Sequence, residues 1–206
     1  YALSYFNNVS NVSFTYSNSE SADIVISGLS VNLYGYNSNN EIRQPTGFTF
    51  DSIGSNPLRS DVYILQSGMN AEEIQKTIPH ELLHSLGLLD VEQSNGTIYS
   101  GEENTNKYTI MSYNQNTGTG QRTHELQIYD IAAIQSIYGR NDDYNQYDTI
   151  INSFIESLAP FLGQDRSYSI WDGGGIDTID AHGLSTAALI DLRPGYFSSI
   201  GNNTGV

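Results

Sequence analysis

Two histidines and a glutamate carry the chemistry that this sequence could perform. They lie in the stretch Thr77-Ile-Pro-His-Glu-Leu-Leu-His-Ser-Leu-Gly-Leu-Leu-Asp90. On an α-helix of about 3.6 residues per turn, His80 and His84 project from the same face and can bind one cation. Two imidazoles at this spacing suit zinc. Glu81, next to the first ligand, could then accept a proton from a metal-bound water.

A third zinc ligand is expected just beyond this helix. Gly87 permits the left-handed backbone conformation that ends a helix, so the chain can reverse there. Asp90 can then face the two histidines, and Glu92 and His124 are the alternative third ligands. The chain contains no cysteine, which leaves histidine and carboxylate as the ligand types for zinc.

Composition bounds the possible partners. The net charge of −15 and the lack of any basic patch exclude the nucleic-acid-binding class, which needs clustered Lys and Arg. With 38% apolar residues in 206, the chain can bury a core of one domain or slightly more. No apolar run reaches the ~18 residues of a membrane span. Because the sequence begins with Tyr1, we expect a mature or excised piece with a trimmed N-terminus.

Periodicity predicts an α+β arrangement. We expect the end of a helix over residues 1–9, because Leu3 and Phe6 are apolar there. Alternation or apolar runs predict strands, which cover residues 12–16, 22–27, 47–50 and 61–65.

Two further helices follow from start and stop signals. Asn70 and Glu73 form a capping box for a zinc helix over residues 71–86. Inside it, Pro79 predicts either a kink or a new helix start capped by Thr77. The second helix covers residues 125–138 and ends at Gly139, with an apolar face formed by Ile128, Ile131, Ile134 and Ile137.

Beyond residue 140 the pattern changes to short strands with turns. These strands are expected over residues 167–171, 177–180 and 187–193. The change predicts a domain boundary, with one domain over residues 1–140 and a second, β-rich one over residues 141–206.

Downstream of the zinc helix, Ile110-Met111-Ser112-Tyr113 contains one of only two methionines. A zinc helix followed by such a methionine turn is the pairing found in metzincin peptidases. The chain resembles the serralysin branch of this family, in which the turn reads Met-Ser-Tyr. Three later stretches strengthen the resemblance, namely Asp130–Gln135 with Tyr138-Gly139, Trp171–Asp180 and Ile190–Phe197.

The resemblance implies a role for each matching residue. His80 and His84 would be zinc ligands, and Glu81 would be the general base. Met111 would form the hydrophobic floor under the metal. Tyr113 would be an adjustable ligand that swings to stabilise the oxyanion of the transition state.

Asp90 departs from the family pattern, because serralysins carry histidine as the third ligand. Zinc accepts a carboxylate, whose charge would make the bound water less acidic than three neutral imidazoles would. We therefore expect a functional active site in which the acidity of the metal-bound water is altered.

The turn from Asp172 to Asp177 resembles the family's entry into a calcium-binding β-roll. Glycines let backbone carbonyls converge, and carboxylates supply the charge that calcium needs. By this resemblance Asp172, the Gly174 carbonyl and Asp177 are calcium ligands, with carbonyls of residues 145–149 completing the site. A plain glycine-rich hairpin is the alternative. The family's tandem glycine-aspartate repeats are absent from the sequence.

The sequence therefore predicts a metzincin-like α+β domain with a twisted sheet and a zinc helix, followed by the start of a calcium-binding domain. The predicted function is zinc-dependent hydrolysis of peptide bonds in protein or peptide substrates. A non-catalytic zinc- or calcium-binding adhesion module on the same scaffold is the alternative. The resemblance also implies secretion, while the sequence leaves oligomeric state and substrate specificity open.

Overall fold

The computed structural model describes residues 2–18, 22–29, 35–36, 42–43, 47–51, 60–65, 69–93, 96–115, 125–151, 167–182, 187–200 and 203–204. The chain divides into two compact units. The sheet unit consists of Phe14–Leu89, and the Met-turn unit consists of Leu3–Ser13 with Asp90–Val206. The domain boundary expected after residue 140 stays a prediction. None of the helices in the described ranges is long and apolar enough to cross a membrane.

A mixed sheet is the main β-structure described in the sheet unit. Its strand order is β1 (Ile24–Leu29), β5 (Ser60–Leu65) and β4 (Gly47–Asp51). Strands β1 and β5 are parallel, whereas β4 pairs antiparallel with β5. Val62 and Ile64, two residues apart on β5, are buried, as the two-residue period of a strand requires for one face. Strands β2 (Gly35–Tyr36) and β3 (Ile42–Arg43) form a separate antiparallel pair.

The helix predicted to bind zinc is a single helix, α2 (Ala71–Ser85). Asn70 accepts a hydrogen bond from the Glu73 backbone at 3.0 Å, and Glu73 accepts one from the Asn70 backbone at 2.8 Å, so the predicted capping box is confirmed. The alternative of a new helix start at Thr77 is wrong. The Thr77 hydroxyl instead donates to the Glu73 carbonyl at 2.9 Å, and buried Pro79 lies within the helix.

The capping box gives a first test of this helix. Replacing Asn70 with alanine removes the acceptor for the Glu73 N–H and is expected to lower the free energy of unfolding by about 1 kcal/mol. Urea unfolding followed by circular dichroism measures the change. Gln75→Ala, at an exposed position of the same helix, is the control, and equal effects of the two changes would contradict the capping role.

The Met-turn unit is formed by two separate regions of the chain, and each region contributes an α-helix. Helices α1 (Ala2–Val9) and α3 (Ile128–Tyr138) are connected by the Gln135 side chain, which donates to the Val9 carbonyl at 2.8 Å. Gly139 ends α3 with φ of 83°, as expected of a helix stop. A Cβ added at Gly139 would lie 2.7 Å from the Asn11 side chain.

The apolar face predicted for α3 is confirmed only in part. Ile131 and Ile134 are buried, whereas Ile137 is 55% exposed. Residues three positions apart are rotated by about 60° relative to each other around an α-helix, so Ile137 lies on the opposite side from Ile128 and outside the buried face.

The remaining described elements of the Met-turn unit are short. They are β6 (Glu92–Gln93), β7 (Gly96–Thr97), a 3-10 turn (Gly101–Glu103), β8 (Ser199–Ile200) and β9 (Asn203–Thr204).

The strands predicted over residues 12–16, 167–171, 177–180 and 187–193 are wrong. Within the described ranges these segments form only isolated bridges, Ile150 with Thr178 and Leu189 with Ser199. Their polar and apolar residues alternate as in strands, but a strand needs a partner along its length, and alternation does not specify one.

Candidate metal centre

Helix α2 sets the two histidines on one face. The rings of His80 and His84 lie edge to face, with centroids 4.9 Å apart. The Nδ1 atom of His84 is 2.9 Å from the Leu88 carbonyl oxygen. A carbonyl only accepts, so Nδ1 carries the hydrogen, and in the neutral ring Nε2 is left with the lone pair that a metal requires.

The end of α2 turns the chain sharply, as the sequence predicted. Gly87 has φ of 97°. Its N–H donates to the His84 carbonyl at 2.9 Å, and the Leu88 N–H donates to the Leu83 carbonyl at 3.0 Å. These two bonds make a Schellman motif, which requires the left-handed residue that glycine adopts without strain. The same turn brings the Leu88 carbonyl to His84.

Three residues predicted as zinc ligands come together. His80, His84 and Asp90, all half-buried, each offer a ligand atom, and these atoms lie within 4.8 Å of one another. Among the described residues, no other set of histidines and carboxylates gathers in this way. Of the alternatives for the third ligand, Glu92 is not in this group, and His124 lies outside the described residues.

Glu92 and Tyr113 are positioned around the Met turn, Ile110-Met111-Ser112-Tyr113. The Glu92 carboxylate accepts from the Tyr113 backbone N–H at 3.3 Å and from the Asn114 side chain at 2.9 Å. Its role here is to bind the end of the turn. The half-exposed Tyr113 donates its hydroxyl to Oδ2 of Asp90 at 2.9 Å, which connects the residue expected to stabilise the oxyanion with a candidate ligand.

Glu81 is buried on α2, with only 4% of its surface exposed. The Thr49 hydroxyl of strand β4 lies 2.8 Å from Oε2 of Glu81 and 3.0 Å from its backbone carbonyl. The pattern of residues 47–50 predicts strand β4 but not the contact of Thr49 with Glu81, because a short strand does not show which residue faces which helix.

A buried carboxylate, whose contact with the Met turn was not predicted from the sequence, holds this turn. Asp130, in the first turn of α3, accepts from the Thr109 hydroxyl at 2.6 Å and from the Ile110 N–H at 2.9 Å. It also caps its own helix by accepting from the Gln127 N–H at 2.8 Å. Met111 is buried, and its N–H donates to the Thr109 hydroxyl at 3.0 Å. The acidic residue three positions after Gln127 was the available sequence signal.

The predicted calcium turn is tightly packed against residues 142–149. A Cβ at Gly173 would clash with the Asp142 carbonyl oxygen, and Gly175 combines φ of 108° with a similar close approach to Tyr147. The Gly174 N–H donates to Asp172 at 2.9 Å. The missing side chains of these glycines therefore allow the turn to pack closely against the facing backbone.

The carboxylates of this turn are already hydrogen-bonded. Asp177 accepts from both the backbone N–H and the hydroxyl of Thr149, each at 2.9 Å. Asp148 accepts from the Ile176 N–H at 2.9 Å. The turn and the facing segment are therefore joined through acidic side chains, and their assignment as calcium ligands stays a prediction.

Comparison with known proteins agrees with the resemblance. The family model described as Peptidase M10 serralysin C terminal matches residues 161–206. Serralysin G of Dickeya chrysanthemi is 34% identical over 142 residues, which cover 62% of this chain and 30% of the relative. The serralysin of Proteus mirabilis is also 34% identical over 142 residues. This chain is serralysin-like. Metallopeptidase AprA of Pseudomonas marginalis is 30% identical over 152 residues, which cover 64% of the chain.

The serralysin-like chain spans about a third of the length of these relatives. The match with AprA covers 64% of this chain. A continuous match of that length must include the central quarter of the chain, wherever along the chain the match begins. Helix α2 from His80 onward and the Met turn both lie in that quarter. The family model, in turn, covers the predicted calcium turn.

Proposed function

We propose that this protein is a zinc-dependent endopeptidase. The observation that carries the proposal is the group formed by His80, His84 and Asp90, whose ligand atoms lie within 4.8 Å of one another. The general-base candidate Glu81 is the next residue after the first ligand. Relatives named as serralysins and metallopeptidases support the same reading.

The donor set fits zinc. Two imidazole nitrogens and one carboxylate oxygen are the ligands of many catalytic zinc sites, which keep a fourth position open. His84 meets the requirement for such a ligand, because its Nδ1–H is oriented by the Leu88 carbonyl at 2.9 Å and Nε2 is directed away. Zinc held by these residues would supply Lewis-acid polarisation of the scissile carbonyl and of the attacking water.

The chain's own residues supply the proton transfers and the charge stabilisation. Glu81 takes the proton of the attacking water and passes it to the leaving amine. Its burial keeps it in a low-dielectric environment, in which a charged group acts strongly on nearby atoms. Tyr113, whose hydroxyl donates to Asp90, would rotate to donate to the oxyanion of the tetrahedral intermediate.

Strand β4 is the proposed docking place for the substrate backbone. It lies at the edge of the described sheet and pairs on one side only with β5. A peptide added as a further strand would bind through main-chain hydrogen bonds, so protein substrates in extended conformation are expected. Secretion is part of the same proposal and rests on the family resemblance.

Elemental analysis combined with casein cleavage tests the proposal. We expect one zinc per chain and cleavage that a zinc chelator abolishes and added zinc restores. Bound zinc without cleavage would overturn the assignment of peptidase activity and favour the non-catalytic binding module. Cleavage that survives complete removal of zinc would overturn the assigned chemistry.

Asp90 gives a specific prediction about metal affinity. Replacing Asp90 with asparagine removes the anionic oxygen and is expected to weaken zinc binding by about tenfold to a hundredfold, since neutral amide oxygens are poorer zinc ligands. Competition with a chromogenic chelator measures the affinity. The control is Glu92→Gln, which alters a neighbouring carboxylate outside the ligand group. Unchanged affinity in the Asp90 variant, with a loss in the Glu92 variant, would make Glu92 the ligand.

We also propose that Asp172, the Gly174 carbonyl and Asp177 hold a structural calcium ion. The acidic side chains and the close approach of glycine backbones support this proposal. Calcium is expected to raise the melting temperature by several degrees through binding to the folded state, and Asp177→Asn should reduce that rise. Differential scanning calorimetry with and without a calcium chelator measures it. The control is Asp23→Asn, an exposed carboxylate before β1, and equal calcium responses in both variants would contradict the site.

A further inference from the structure

Two residues of strand β4 face the general-base candidate on α2. Gly47 and Thr49 are two positions apart and therefore lie on the same side of the strand. The Thr49 side chain contacts Glu81, and a Cβ built on Gly47 would point at Glu81 as well. Both strand and helix belong to the sheet unit, Phe14–Leu89.

The Thr49 hydroxyl fixes one oxygen of the carboxylate. Its oxygen is 2.8 Å from Oε2 of Glu81 and 3.0 Å from the Glu81 backbone carbonyl. A hydroxyl has one hydrogen to donate, so the two acceptors share it, and the charged oxygen is the stronger acceptor. The contact joins residues 32 positions apart in the sequence and thus depends on the packing of β4 against α2.

Gly47 provides the space in which the carboxylate lies. A Cβ at this position would be 2.9 Å from both Cγ and Oε1 of Glu81, and 2.6 Å from Cγ2 of Thr77. Contacts below 3 Å are not tolerated, so any larger residue would move the Glu81 side chain, the Thr77 side chain or the strand. Gly47 therefore leaves space for Oε1 of Glu81, while the Thr49 hydroxyl holds Oε2 of the same carboxylate.

We infer that strand β4 sets the orientation of the Glu81 carboxylate for catalysis. Thr49 is a positioning residue that acts through its hydroxyl, and Gly47 leaves free the space that the carboxylate occupies. The inference rests on the proposed function, in which Glu81 is the general base. A base must be held in line with the proton that it accepts, and a misplacement of about 1 Å costs on the order of a hundredfold in rate. Strand β4, which is proposed to bind the substrate, also aligns the base. The substrate backbone and the Glu81 carboxylate are therefore both positioned by this strand.

Substitution of Thr49 separates the hydroxyl from the shape of the side chain. Thr49→Val keeps the volume and removes the hydrogen bond, and we expect kcat to fall by about tenfold to a hundredfold with little change in KM. Thr49→Ser keeps the hydroxyl and should restore kcat to within about threefold of the unmodified protein. Thr97→Val, an exposed threonine in strand β7, is the matched control and should retain full activity.

These variants distinguish positioning from a structural role. Zinc content is measured for each, and we expect it to be equal in all of them. Equal kcat in Thr49→Val and the unmodified protein, while Glu81→Ala is inactive, would overturn the inference and leave the proposed function intact. An unmodified protein without peptidase activity would overturn both.

Gly47 is tested by a pair of substitutions. Gly47→Ala introduces the Cβ that meets both Thr77 and Glu81. Adding Thr77→Ser removes Cγ2 while keeping the hydroxyl that donates to Glu73, so the double variant isolates the contact with Glu81. We expect the double variant to regain folding stability over Gly47→Ala but to keep a kcat lowered about tenfold or more. Recovery of kcat together with stability would show that Gly47 acts on Thr77 alone.

A double-mutant cycle measures the contact without any activity. Thr49→Val, Glu81→Ala and the combination are unfolded in urea in the presence of a zinc chelator, so that metal affinity does not enter. We expect the unfolding equilibrium constants to deviate from additivity by about threefold or more, because the two side chains interact. Strict additivity would show that the hydrogen bond does not hold the carboxylate and would overturn the inference.

Discussion

Replacing Glu81 with alanine is expected to lower kcat/KM for peptide hydrolysis by about 10²–10⁴-fold while zinc stays bound. Glu81 is not one of the three residues whose ligand atoms gather, so its removal should leave the metal-binding group complete. What is lost is the carboxylate that accepts the proton of the attacking water. Casein cleavage and elemental analysis of the same preparation measure the two quantities together.

Two controls sharpen this result. Glu81→Gln keeps the size and hydrogen-bonding shape of the side chain but cannot accept the proton, so it should be as inactive as the alanine variant. Gln75→Ala, at an exposed position of the same helix, should be fully active. Retention of full activity by Glu81→Ala would rule out Glu81 as the base. Loss of zinc from that variant would instead assign Glu81 to metal binding.

Replacing Asp130 with alanine is expected to lower the free energy of unfolding by about 3 kcal/mol or more. The carboxylate is 1% exposed and accepts three hydrogen bonds, from the Thr109 hydroxyl and from the N–H groups of Ile110 and Gln127. Buried donors without an acceptor carry the full cost of their desolvation. The loss should also release the Met turn from α3, so that activity falls together with stability.

Asparagine at the same position is expected to cost less than alanine. Its amide oxygen can replace Oδ2 and accept from Ile110 and Gln127, while its NH₂ can donate to the Thr109 oxygen. Urea unfolding compares the two variants, with Asp143→Asn at an exposed position as the control. Equal losses for asparagine and alanine would show that the charge of Asp130, instead of its hydrogen bonds, stabilises the turn.

The local parts of this molecule follow from local sequence rules. The capping box at Asn70, the glycine stop at Gly87 and the positive-φ glycine that ends α3 at Gly139 lie where the residue types indicate. Each depends on backbone groups only a few positions away, so no knowledge of the fold is needed to place them. The same holds for the pair His80 and His84, since the helical repeat alone puts them on one face.

Strand predictions succeeded where a partner existed and failed elsewhere. Residues 47–50 and 61–65 were predicted as strands, and they pair with each other in β4 and β5. Residues 12–16 alternate in the same manner, yet Tyr16 is 88% exposed and the segment forms no strand. Alternation of polar and apolar residues shows that a segment suits a pleated strand with one buried face. Whether the segment pairs with another strand depends on the tertiary structure.

The sequence by itself determined which residues could bind a metal and which could act as a base, because a helix fixes the spacing of His80, Glu81 and His84. Only the tertiary structure decided what holds those groups in place. Thr49 reaches Glu81 across 32 positions, and Asp130 reaches the Met turn across 20. Such bonds form only after strands and helices have packed, since short polar side chains carry no signal in the sequence for a partner so far along the chain.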